Sequence, residues 1–95
     1  MVDVVNDKVM WFECNLVIAN IIDRNTEKPS EKWSSEVGKE CFVYAAKVNI
    51  GEPLNVYYND GRHLKTSNIV DILEDSYGFW IITLNSMYRF DYKNN

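Results

Sequence analysis

Between residues 54 and 92 turn signals cut the chain into short apolar runs, and this limits its possible folds more than any other feature. Residues 54–58 are rich in β-formers. Asn59-Asp60-Gly61 follows, three residues that tolerate the positive φ of a tight hairpin. Residues 63–66, 68–73, 79–84 and 87–92 read as further strands, with turns at 74–78 and at Asn85-Ser86. In the last run Tyr88, Phe90 and Tyr92 share one face, as period-two alternation requires. Short strands joined by short turns pair with their sequence neighbours. The expected fold is therefore mostly β (all-β or α+β): an antiparallel meander forming a small barrel or sandwich, with room for one short helix.

The first half is less decided. In segment 9–22 the even positions Met10, Phe12, Cys14, Leu16 and Ile18 are apolar, and Glu13 and Asn15 fall between them, which favours a strand. Helical spacing (Val9, Phe12, Leu16, Ala19) fits the same stretch, so both readings stand. Segment 23–35 is polar and reads as a loop, although Pro29 also suits the start of a short helix over 30–37 ended by Gly38. In 40–50, Phe42, Tyr44, Ala46, Val48 and Ile50 alternate as in a strand, while Tyr44-Ala45-Ala46-Lys47 suits a helix equally well.

Ninety-five residues make a single domain, 1–95. A chain this short buries a small share of its surface, yet 46% apolar and 14% aromatic residues supply a core without metal or disulfide. The apolar runs are too short to span a bilayer, and the first residues are acidic where a leader would be basic. A cytoplasmic location is expected, host cytoplasm if the chain is phage-encoded. Cys14 and Cys41 lie in apolar stretches and read as reduced, buried residues. Two separated cysteines and one histidine make no metal site, and no motif calls for a cofactor. A net charge of −4 argues against a general nucleic-acid binder. The pairs Trp11-Phe12, Tyr57-Tyr58 and Phe79-Trp80 each send one ring to either side of a strand. The outward rings are either covered by loops or form an interface, and a homo-oligomer is expected.

No phosphate loop, nucleophile elbow or metal-spaced cluster is present, so no enzyme is expected. His63, the only histidine, follows a hairpin glycine and reads as a solvated turn residue rather than a general base. Glu74-Asp75 reads as a solvated turn. The densest polar cluster is Arg62-His63-Leu64-Lys65-Thr66-Ser67-Asn68, and Asn85-Ser86 with Tyr88 and Arg89 lies one hairpin away. If the two turns meet, Arg62, Lys65 and Arg89 would neutralise phosphate, Thr66, Ser67, Asn85 and Ser86 would hydrogen-bond, and Tyr88 would stack on a base. The bland alternative is ordinary turn chemistry and edge-strand charge.

Leu64-Lys65-Thr66-Ser67-Asn68-Ile69-Val70 followed by Ile82-Thr83-Leu84-Asn85-Ser86-Met87-Tyr88 resembles a pattern of small phage and bacterial β-proteins, Thr-Ser, a hairpin, then Thr-x-Asn-Ser-x-Tyr. It is similar to phage anti-Thoeris sponge proteins, which bind cyclic ADP-ribose-type signals and silence host immunity. The resemblance implies counter-defence by sequestering a nucleotide signal, and it bears on Thr66, Ser67, Asn85, Ser86 and Tyr88. The net negative charge departs from what a phosphate sponge would want. The alternative is a protein-interaction module that blocks a host defence protein by direct contact.

Overall fold

The computed structural model describes residues 15–93. Six strands, β1 (Leu16–Asp23), β2 (Glu40–Phe42), β3 (Pro53–Tyr58), β4 (His63–Glu74), β5 (Gly78–Thr83) and β6 (Ser86–Tyr92), form one closed antiparallel barrel in sequence order. The last strand returns to pair with the first, Ile18 opposite Phe90. The expected meander is therefore a barrel and not a sandwich. Among the described residues no helix is long and apolar enough to cross a membrane.

The turns close as their residues dictate. Gly61 takes φ +90°, and the Asp60 carboxylate accepts the Arg62 N–H at 3.0 Å. At the β4–β5 turn the Asp75 carboxylate accepts the N–H groups of Tyr77 and Gly78 at 2.8 and 3.0 Å. At the β5–β6 turn the buried Thr83 hydroxyl accepts the Ser86 N–H at 3.1 Å and donates to the Ser86 carbonyl at 3.0 Å.

Alternation then fills the interior. Leu54 and Val56, Phe79 and Ile81, and Tyr88 and Phe90 point inward from three strands. The Phe79 and Phe90 rings stack 5.3 Å apart, and each fully buried ring contributes about 2–3 kcal/mol. The outward partners of two aromatic pairs are covered by neighbours. Trp80 lies under the Arg89 guanidinium, and Tyr57 stacks between Phe42 and His63 at 5.6 and 5.2 Å. Trp11-Phe12, Cys14 and the start of the 9–22 segment lie outside the described residues.

Several sequence readings are corrected. The runs 63–66 and 68–73 are one strand: the twelve residues of β4 pair with β3 over the first half and with β5 over the second. In β1 a bulge between Ile18 and Asn20 shifts the parity, so the buried set runs Leu16, Ile18, Ile21. The loop reading of 23–35 holds, and in place of the helix that Pro29 also allowed over 30–37 there is a three-residue 3₁₀ turn, Ser34–Glu36. Its flanks are committed to β1 instead, because Ser30 N–H bonds the Ile21 carbonyl and Gly38 N–H bonds the Ile18 carbonyl. The strand expected over 40–50 ends at Phe42. A 3₁₀ turn, Ala45–Lys47, follows where the sequence also allowed a helix.

Candidate functional site

Three segments converge at the end of the barrel where β1 finishes and β6 begins: the β1–β2 loop, the middle of β4 and the β5–β6 turn. Backbone and side-chain hydrogen bonds fix them to one another. Ser67 Oγ accepts the Asn85 N–H at 3.2 Å, Arg24 N–H bonds the Asn85 carbonyl at 3.0 Å, and the Arg24 guanidinium holds the Thr83 carbonyl at 2.7 Å. Between them lies a cavity of about 380 Å³, within the range of small-molecule sites.

Six of the eight residues expected to bind a ligand line it: Lys65, Thr66, Ser67, Asn85, Ser86 and Tyr88. Their roles differ from those expected. The Thr66 hydroxyl is committed to the frame, accepting the Leu54 N–H at 3.0 Å and donating to the Ser67 carbonyl at 2.7 Å. Tyr88 is only 3% exposed, and its ring packs beside Phe90, so it forms the cavity floor and offers no face to a base. Burial pushes its phenol pKa up, and the neighbouring Ser86 hydroxyl offsets part of that rise. Lys65 and Asn85 are left as the members free to meet a ligand with charge or amide.

Arg62 and Arg89 do not join the cavity. Arg62 bonds Asp60 at 2.8 Å beside the β3–β4 turn and lies over the Tyr58 ring. Arg89 bonds Asp75 at 2.9 Å and Asp91 at 2.8 Å on the outer face of β6. The physical reason is nearby pairing: Asp60 in the same turn satisfies Arg62, and Asp91 two residues on along β6, with Asp75 from the β4–β5 turn, satisfies Arg89. His63 also stands outside, its Nε2 2.9 Å from the Asn55 amide oxygen.

The loop supplies wall residues that sequence reasoning missed. Asn25, Ser30, Lys32 and Trp33 of the loop, with Asp23 at the end of β1, complete the cavity. Asp23 Oδ1 accepts the N–H groups of Asn25 and Thr26, which shapes the loop's start. Ser30 Oγ accepts the Trp33 N–H at 3.3 Å. The Trp33 ring packs against the core cluster, and the Lys32 ammonium sits 5.1 Å from its centroid. A tryptophan inside an otherwise polar segment was the available signal. Among the described residues Lys32 and Lys65 form no ion pair, as is also true of Arg24, Lys28 and Lys47, whereas Lys39, Arg62, Arg89 and Lys93 each do. The cavity thus gathers two cations, one carboxylate (Asp23, whose Oδ1 already accepts two backbone N–H groups), two side-chain amides and one half-buried indole. Such a set binds anions and flat rings. In comparisons with known proteins, no family model, curated protein or solved structure matches the chain.

Proposed function

We propose that this chain is a non-enzymatic binding protein that holds a small anionic, ring-bearing ligand, a nucleotide by class, in the cavity at the barrel end. The observation that carries this reading is the meeting of Lys32 and Lys65 with Trp33 around one cavity, two cations against the single carboxylate of Asp23, with neither lysine in an ion pair among the described residues. The two ammonium groups take the phosphate, the Asn25 and Asn85 amides hydrogen-bond the sugar or base edge, and Trp33 offers an aromatic surface. Arg62 and Arg89 have no part in it. In a phage setting the bound nucleotide is an immune signal withdrawn from the host, which is the role the Thr-Ser and Thr-x-Asn-Ser-x-Tyr resemblance implies.

Native mass spectrometry of the purified chain, then calorimetry with the four ribonucleoside monophosphates, tests this. Binding of at least one nucleotide is expected. Lys65→Ala should weaken it roughly tenfold or more, the worth of one charge-assisted hydrogen bond. Failure of every nucleotide to bind refutes the reading. A second reading, direct blocking of a host protein, is favoured by the outer ladder of Phe42, Tyr57 and His63, with Tyr44 set edge-on against it. Capture of a protein partner that is lost in Tyr57→Ala but kept in Lys65→Ala would support it.

A further inference from the structure

We infer that Lys32 is a specificity-determining residue, admitting to the Trp33 ring only ligands that carry an anion. This rests on the nucleotide reading above and goes beyond it. Trp33 is half-buried, and its ring packs against the hydrophobic core. Over the ring stands the ammonium of its own neighbour, Lys32, at 5.1 Å. Both residues line the same cavity. A flat ligand that stacks on Trp33 must therefore displace this cation from the ring.

For a neutral ring that displacement is a pure loss. The ammonium gives up its attraction to the indole face and gains nothing. An anionic ring changes the sign, because Lys32 exchanges the indole for the ligand's phosphate within the same cavity, with Lys65 as the second cation. The cavity's one carboxylate, Asp23, accepts the Asn25 and Thr26 N–H groups, and among the described residues no ion pair holds Lys32. One side chain thus penalises the unphosphorylated nucleoside and rewards the phosphorylated one, the two halves of specificity. Lys32 works as a movable cover whose release requires negative charge.

The test is calorimetric titration of the full chain with adenosine and AMP, and with the other three nucleoside and nucleoside monophosphate pairs, in wild type, Lys32→Ala and Lys32→Arg. Wild type should prefer the monophosphate roughly tenfold or more. Lys32→Ala should shift the two ligands in opposite directions. The monophosphate should weaken by about tenfold, while the nucleoside should tighten by roughly two- to fivefold, the worth of an exposed cation–ring contact. Lys32→Arg should restore the preference. Equal losses for both ligands in Lys32→Ala, or no change in their ratio, would overturn the inference and leave nucleotide binding standing. Absence of binding by every nucleotide in wild type would overturn both.

Discussion

Gly78 opens β5 opposite Asp91, and an alanine there should damage the barrel although its backbone is ordinary β. A Cβ built on Gly78 runs into the Phe90 carbonyl oxygen, with Asp91 Cα at 2.8 Å and the Phe90 carbonyl carbon at 3.0 Å. All three atoms belong to the β6 backbone, so no side-chain rotation relieves the clash. The two strands must separate at this end. Overpacking of this kind costs about 1–3 kcal/mol. Separation also strains the Tyr92 N–H bond to the Tyr77 carbonyl, now 2.9 Å, worth about another 1 kcal/mol. The expected loss is about 2–4 kcal/mol, a large share of the stability of a domain this size. Gly61→Ala is the control. Its φ of +90° disfavours alanine, but nothing lies within 4 Å of the added methyl, so its loss should stay near 1 kcal/mol. Urea unfolding followed by tryptophan fluorescence and circular dichroism reads both. Thermal midpoints should fall by about 8–30 °C for Gly78→Ala. A Gly78→Ala chain within about 0.5 kcal/mol of wild type, or more stable than Gly61→Ala, would refute the argument.

Two further outcomes follow from side chains at the turns. Arg89, with the N–H groups of Tyr77 and Gly78, lowers the Asp75 pKa to about 2. A carboxyl depressed below its unfolded value stabilises the fold above the ordinary carboxylate range and loses that contribution as pH falls towards 2. Acid titration of unfolding midpoints should show a falling limb between about pH 4 and pH 2, shallower in Asp75→Asn; identical limbs would refute the assignment. Thr83→Val keeps the shape but removes the hydroxyl that accepts the Ser86 N–H, leaving a buried donor unpaired. It should cost about 1–3 kcal/mol in urea unfolding, against a few tenths for Thr83→Ser.

The β3–β6 strands were legible because alternation and turn residues agree there. The polar pair Thr66-Ser67 hid the continuity of β4. It reads as a break, yet the Thr66 hydroxyl takes the Leu54 N–H, and Ser67 Oγ takes the Asn85 N–H, so the polar groups serve the middle of a strand. The β1 bulge disguised its parity, and the β1–β2 loop has no period to read. Most of the cavity's β4 and β6 residues were found because polar residues of the two hairpins meet at one barrel end. Arg62 and Arg89 misled because a sequence displays a cation before its partner. The Asp60-x-Arg62 and Arg89-x-Asp91 spacings held the clue: the first pair shares the β3–β4 turn, where Asp60 also accepts the Arg62 N–H, and the second shares a face of β6, as residues two apart on a strand do.

The pairing of β1 with β6 also fixes an order of events. Every other strand pair joins sequence neighbours, but Ile18 must find Phe90 across most of the chain, and β1 pairs with β2 only at Leu16 and Val17. Long-range closure of this kind is the slow step of folding. Until β6 is made, β1 can pair only with β2 at Leu16 and Val17 and with the loop through the Ser30 and Gly38 N–H groups, so the edge of Ile18 and Ile21 that faces β6 stays open. The cavity has the end of β1 on one wall and the start of β6 on another. It comes into being only with the last seam, so a ligand held there would bind the finished barrel alone and slow its reopening.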